Sequence, residues 1–191
     1  MRAIVVYESM FGNTRAVAEA IVDGLTLAAD ARAVSVLQAD QDALDDVDLV
    51  VVGGPTHAWS MSRPSTRRGS PLHLADPKAD LALEPGADWG PGVREWLDTL
   101  PEVRASAAAF DTRLASPVLL TGRASKAIGR QLKRHGLTLV VPPESFLVDR
   151  RSHLVPGESE RARAWGVRLA RLLEPSHHTD TRVPKSEHPS T

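Results

Sequence analysis

Short apolar runs alternate with segments of helical periodicity along most of this chain. Residues 3–7 read AIVVY, and residues 47–54 read VDLVVVGG. The second run is nearly unbroken, which is typical of a strand buried on both faces of a parallel sheet. Between the two runs, apolar residues recur every three or four positions over residues 14–28 and predict an amphipathic helix. Residues 33–37 predict a further strand.

The second half of the chain repeats this alternation. Helical spacing predicts helices over residues 93–100, 125–135 and 158–173. Apolar runs predict strands at 107–110 and 137–141, and residues 145–148 can extend the last strand past Pro142-Pro143. Strands that alternate with helices indicate an α/β fold, a doubly wound five-stranded parallel sheet with helices on both faces. Residues 42–46 predict a short helix or a turn.

Two segments depart from this pattern. Residues 55–92 contain several prolines and glycines and are predicted to be irregular, which is typical of a functional loop. Their Arg63, Arg67 and Arg68 suit either a solvated face or an anion-binding face. Residues 174–191 are rich in Pro, His, Ser and Thr and are predicted to be a disordered tail after a domain of residues 1–173. The histidines of this tail are not predicted to form a metal site.

Composition narrows the function classes. The chain has 191 residues, 42% hydrophobic and 25% charged, with a formal net charge of -1. That balance does not favour a nucleic-acid or membrane surface as partner. The lack of cysteine excludes disulfides, thiol catalysis and Cys-based metal centres. No apolar run approaches the roughly 20 residues of a membrane helix, and Met1-Arg2 leaves no room for a secretion signal, so we expect a cytoplasmic protein.

The turn after the first strand carries the clearest candidate chemistry. Residues 9–14 read SMFGNT and connect a strand to a helix. The helix start contributes free N–H groups and the positive end of its dipole, while Ser9 and Thr14 add hydroxyls. Gly12 permits a backbone conformation and a close approach that a side chain would block. These features predict a phosphate-binding loop. The alternative is a plain strand–helix turn with a capping residue.

This loop resembles the phosphate loop of the flavodoxin family, whose form is Ser/Thr-x-x-Gly-x-Thr. Residues 53–59, GGPTHAW, are similar to the family's second flavin loop, and residues 110–113, FDTR, occupy the place of its third. The resemblance implies strand order 2-1-3-4-5 and non-covalent binding of flavin mononucleotide (FMN) beyond the carboxyl ends of strands one, three and four. The implied cofactor-binding residues are Ser9, Met10, Phe11, Gly12, Asn13, Thr14, Pro55, Thr56, His57, Ala58, Trp59, Asp111, Thr112 and Arg113.

Three side chains in these loops each have more than one possible role. Trp59 offers a flat stacking face for a flavin ring, although it could also anchor the loop. His57 could donate to the ring edge or act as an acid, or be an ordinary loop histidine. Arg113 could contact the ring edge or pair with Asp111. The other tryptophans, Trp89, Trp96 and Trp165, are predicted to be packing residues.

The resemblance implies an FMN-binding redox protein, either an electron carrier or a small flavin-dependent reductase. Its partner would be a redox protein or a small-molecule electron acceptor, and the sequence identifies no catalytic residue. The alternative is a flavodoxin-like signalling or interaction scaffold without redox activity. A phosphoacceptor receiver domain would need an aspartate where residues 53–55 read GGP, and a dinucleotide-binding domain would need G-x-G-x-x-G after the first strand.

Overall fold

The computed structural model describes residues 1–40, 44–73 and 82–173, with the backbone alone described for residues 69–73. The predicted tail with its histidines, His177, His178 and His188, lies outside these residues. The predicted turn at 42–46 lies partly outside them. Within the described part, the order of the elements is that of an α/β fold.

A mixed, largely parallel sheet forms the centre of the molecule. Its order is β2-β1-β3-β5, continued by β6 and β7, which both pair in parallel with β5. The strand β4 alone is antiparallel and forms a hairpin with β3. The predicted doubly wound parallel fold and its core order are thereby confirmed. The strands are β1 (Arg2–Tyr7), β2 (Asp30–Ser35), β3 (Leu49–His57), β4 (Ser60–Met61), β5 (Ser106–Leu114), β6 (Thr138–Leu139) and β7 (Glu144–Val148).

Helices cover both faces of this sheet. Alternate residues of β1 point to opposite sides: Ile4 belongs to one core cluster, which contains residues of α3 and α5, and Val5 to the other, which contains residues of α1 and α6. The four residues 49–52 of β3 are fully buried, as their continuous apolar run predicts. The helices are α1 (Asn13–Leu25), α2 (Pro64–His73), α3 (Val93–Asp98), α4 (Val118–Thr121), α5 (Ala124–Arg134) and α6 (Glu158–Leu173).

The structure differs from the sequence expectations in several places. The second strand begins at Asp30 rather than at residue 33. The predicted fifth strand is divided into β6 and β7, because Pro142 and Pro143 lack the N–H groups that a continuous ladder needs. The segment 55–92 is not wholly irregular, since it contains β4 and α2. The first residue of α2 is Pro64, a residue well suited to the first turn of a helix.

The packing predictions for the tryptophans are confirmed for two residues and wrong for one. Trp96 and Trp165 are buried packing residues, as expected. The packing prediction for Trp89 is wrong, because its side chain is 80% exposed on the segment before α3. No helix among the described residues is long and apolar enough to cross a membrane.

Candidate functional site

A cavity of about 460 Å³ opens beyond the carboxyl ends of β1, β3 and β5. Parallel α/β sheets commonly bind ligands at this edge, and the volume falls in the range of small-molecule sites. It gathers residues from all three loops that the sequence singles out. The lining residues are Met10, Phe11, Asn13, Thr14, Pro55, Thr56, His57, Thr112, Arg113, Leu114, Val148, Arg150 and Ser152.

The loop 9–14 forms one end of this cavity and has the backbone of an anion cradle. Gly12 adopts φ +83°, in the left-handed region that favours glycine, and directly precedes α1. Its N–H donates to the Oγ of Ser9 at 3.1 Å, which draws the turn together. Within the described part of the chain, no acceptor is found for the N–H groups of Met10, Phe11, Asn13 and Thr14. These donors, beside a helix N-terminus, suit a phosphate.

A buried hydroxyl pair ties this loop to β5. The Oγ1 atoms of Thr14 and Thr112 lie 2.8 Å apart, and both side chains are buried. Either hydroxyl can be the donor of this bond. Whichever donates, the hydrogen bond fixes the first turn of α1 against the third predicted loop. The pair therefore sets the distance between two walls of the cavity.

Trp59 lies at the tip of a tight hairpin, beside a second cavity of about 210 Å³ that shares lining residues with the first. Ala58 and Trp59 have φ of 45° and 67°, the signs that a two-residue type I′ turn between β3 and β4 requires. Non-glycine residues reach this region only at a cost, and such strain concentrates at functional sites. The Trp59 side chain is 64% exposed, so the protein core does not occupy its stacking face.

Gly122 holds this hairpin in place. Its backbone forms a bridge with Trp59, and a β-carbon at position 122 would lie 2.3 Å from the Cα of Trp59. Next to this bridge, the N–H of Ala124 donates to the Oγ1 of Thr56 at 2.9 Å. The start of α5 and the hairpin are therefore locked to each other.

Sequence reasoning missed the short helix α4 as part of this region. Leu119 is 89% exposed and Leu120 is 67% exposed, and Leu120 lines the smaller cavity together with Trp59. The run Val118-Leu119-Leu120 is apolar but follows no helix or strand period, so its only signal was an apolar segment directly after a predicted ligand loop. Arg150 and Ser152 of the larger cavity were missed as well, because the loop after β7 has no motif.

His57 is a neutral cavity residue at neutral pH. Burial lowers the pKa of His57, and the positive charge of Arg67 lowers it further. Arg67 itself is 2% exposed and pairs with Glu95 at 2.9 Å. It also donates to the Oγ of Ser62 at 2.9 Å, so this arginine is a buried structural group, in contrast to the two open roles considered for the arginine cluster.

Asp111 is fully buried and is not among the residues that line either cavity described above. Its carboxylate accepts the N–H of Ser125 at 2.7 Å, in the first turn of α5. Burial raises the pKa of Asp111, while the N–H of Ser125 works in the opposite direction. The position of Asp111 is that of a cap for α5, close to but behind the cavity wall.

Arg113 lines both cavities and is held by main-chain acceptors rather than by Asp111. Its Nη1 donates to the carbonyl oxygens of Ser116, at 2.8 Å, and Leu114, at 3.1 Å. Its Nε is buried and has no partner among the described residues. The guanidinium therefore brings a positive charge, fixed by main-chain acceptors, to the wall between the two cavities.

The comparisons with known proteins agree with this geometry. Residues 4–65 match a family model described as a flavodoxin domain. A flavodoxin from the domain Archaea is similar in structure, with a TM-score of 0.59 at 22% identity over 90% of this chain and 97% of the other. This chain has a flavodoxin-like fold. Two further flavodoxins share that fold, and no curated protein matches the sequence of this chain significantly.

Both of those structures were solved in a stated redox state. Oxidised flavodoxin 1 from Bacillus cereus has a TM-score of 0.60 at 16% identity, over 90% of this chain and 98% of its own. Two-electron reduced Megasphaera elsdenii flavodoxin has a TM-score of 0.53 at 16% identity, over 88% and 98%. At these identities the likeness establishes the fold of this chain, and its ligand has to be argued from its own residues.

Proposed function

We propose that this protein binds one FMN without a covalent bond and transfers electrons through it. The observation that carries the proposal is the pair of adjoining cavities at one edge of the sheet, with free N–H donors at one end and an exposed tryptophan at the other. An amphipathic ligand with a phosphate at one end and a flat ring at the other matches both ends.

The residues present fit such a ligand. The loop 9–14 offers N–H groups that have no acceptor among the described residues, and a phosphate would satisfy them. Trp59 and Leu120 offer apolar surface to a ring, and Thr56 and His57 offer polar groups near it. Asp111, although among the residues expected at the site, would act indirectly by capping α5.

FMN, when bound, supplies a ring that accepts and releases one or two electrons. The chain's own residues bind and orient it. The Thr14–Thr112 pair fixes the phosphate end, and the hairpin locked by Gly122 positions Trp59 over the ring end. The guanidinium of Arg113, whose side chain lines both cavities, places a positive charge beside them, which would favour negative charge on a ring there.

The exposed ring end suits the transfer of electrons to a second molecule. Trp59, Leu119 and Leu120 are all largely exposed, so a ligand ring among them would remain accessible at its edge. A redox protein or a small-molecule acceptor could approach there, and a carrier and a reductase would both use this opening.

The proposal is tested on the purified protein. We expect a yellow protein with flavin absorption bands, and acid should release FMN rather than FAD, one per chain. Anaerobic addition of dithionite should bleach the bands, and a one-electron acceptor should restore them. A colourless protein that takes up no FMN on reconstitution would overturn the proposal.

A further inference from the structure

The outward side of α5 carries a row of positive charges that nothing in the described structure neutralises. Lys126, Arg130 and Lys133 follow one another at spacings of four and three residues, which places them on one side of the helix. None of the three forms an ion pair with another described residue. From residue 114 to residue 143 the chain contains no Asp or Glu at all.

This row borders a shallow groove with an apolar wall. The groove measures about 210 Å³ and is lined by the three cations together with Gly129, Leu139 and Pro143. Like charges at these spacings destabilise a helix, and only Lys133, in the last turn, gains from the helix dipole, so the stability of α5 does not explain Lys126 and Arg130. Protein–protein interfaces combine an apolar centre with a polar rim, and here Leu139 and Pro143 supply apolar surface while the cations form the rim.

The helix that carries this row begins at the candidate site. The bond from Ala124 to Thr56 and the bridge from Gly122 to Trp59 tie the start of α5 to the ring-side hairpin. Lys126 is only two residues further, a rise of about 3 Å along the helix axis. A partner seated on the basic row would therefore reach the exposed residues Trp59, Leu119 and Leu120.

We infer that the Lys126–Arg130–Lys133 face of α5 is the docking surface for an acidic redox protein. The net charge of the whole chain is -1, so the surface is a local feature and attracts acidic molecules in one orientation, with the site toward the partner. A protein is favoured over a nucleic acid because the groove combines cations with apolar side chains and because the chain is not basic overall. The redox character of the partner rests on the proposed function.

The test uses a plant-type ferredoxin as an acidic redox probe and a triple variant, K126E/R130E/K133E. The matched control, R32E/R163E/R171E, makes the same change in net charge at three exposed arginines elsewhere. Binding of fluorescently labelled ferredoxin is measured by anisotropy at low and high salt. We expect the α5 variant to bind at least about tenfold more weakly at low salt, the control to bind within about threefold of wild type, and salt to remove the difference.

The second measurement uses the same proteins loaded with FMN. It is the rate at which one electron passes from the reduced iron–sulfur centre of the ferredoxin to the bound flavin. That rate should fall with binding in the α5 variant only. Equal losses in the two variants, or binding that salt does not affect, would overturn the docking surface. Tighter binding of duplex DNA than of ferredoxin, lost in the α5 variant, would replace the protein partner with a nucleic acid. The binding measurement needs no flavin, so it decides the docking surface even if the chain fails to bind FMN.

Discussion

Thr14 provides the most direct residue-scale test of the cradle, because its buried hydroxyl has a defined partner in Thr112. Thr14→Val keeps the shape and removes the hydroxyl. One hydrogen bond to a charged group contributes on the order of 1.5–3 kcal/mol, so FMN should bind roughly ten- to a hundredfold more weakly. The affinity for riboflavin, which lacks the phosphate, should fall much less, by no more than the loss of the Thr14–Thr112 bond costs the cavity. Fluorescence titration with both flavins measures this.

The controls for that prediction are Thr14→Ser, which keeps the hydroxyl, and Thr26→Val at the exposed end of α1. The Thr26 hydroxyl bonds only to the carbonyl oxygen of Asp23 in the described structure, and its loss should not affect either flavin. If Thr14→Val weakens FMN and riboflavin equally, the loop 9–14 does not hold the phosphate.

Trp59 tests the other end of the site. Stacking against this exposed indole should quench flavin fluorescence, and Trp59→Ala should restore much of it while weakening FMN binding by about 1–3 kcal/mol. Trp89→Ala is the matched control, since Trp89 is also exposed but lines neither of the two cavities. Quenching that persists in Trp59→Ala, or is lost in Trp89→Ala, would place the ring elsewhere.

At the scale of elements, the lock between α5 and the hairpin can be tested with two glycines of positive φ. Gly122 has φ +72° and would bring a β-carbon against Trp59, whereas Gly157 has φ +88° and open space around it. Both alanine variants bear a backbone cost, which is larger at Gly122 because its ψ of -169° places it in a region essentially confined to glycine. Gly122→Ala should in addition displace the hairpin and lower FMN affinity, while Gly157→Ala should leave FMN affinity unchanged. Equal FMN affinities in the two variants would mean that the bridge does not position the site.

The elements that could be predicted from sequence were those with a strong hydrophobic pattern. The run at 47–54 and the helix periods at 14–28 and 158–173 each fix an element, because burial on two faces or on one stripe leaves a clear trace. The helix α2 has no such hydrophobic pattern, since residues 64–73 are mostly polar. The packing error at Trp89 has a similar cause, because an aromatic residue carries no sign of its exposure outside a periodic segment.

Site residues, too, could be predicted only where a local pattern marks them. The loop 9–14 and the residues 55–57 were singled out because strong strands lead into them and they carry a motif, and residues of both segments line the larger cavity. Leu120, Arg150 and Ser152 come to the cavities only through tertiary folding, which no local pattern records. Asp111 was expected in a loop after a strand at 107–110, but it lies within β5 and its side chain turns to α5.

At the scale of the whole molecule, a buried carboxyl links stability to pH. Glu8 accepts hydrogen bonds from Ser62 and from the N–H of Val93 at 2.8 Å, beside Arg67. Burial nonetheless raises the pKa of Glu8 above its ordinary value. As pH rises past the unfolded-state pKa, the unfolded chain loses this proton while the folded protein retains it. The contribution of Glu8 to stability is therefore complete below that pKa and is lost as pH rises through the folded-state pKa.

Glu8→Gln should remove this loss. Urea unfolding from about pH 4 to about pH 8 should show the free energy of unfolding of wild type falling relative to the variant as pH rises. Asp149→Asn serves as a control, because the N–H of His153 lowers the pKa of Asp149 and places its titration below this pH range. The difference in the free energy of unfolding between wild type and Asp149→Asn should therefore stay nearly constant from about pH 4 to about pH 8. A constant difference between wild type and Glu8→Gln over the whole range would contradict a raised pKa.

The central claim is that the edge of this sheet binds FMN with the phosphate on the loop 9–14, and its most direct measurement compares two flavins. The flavin-free protein is titrated with FMN and with riboflavin under identical conditions, and flavin fluorescence is followed. The account predicts one FMN per chain, quenched on binding, and riboflavin bound at least about tenfold more weakly, because it cannot satisfy the free N–H groups of the loop. Equal affinity for the two flavins, or binding of neither, would contradict it.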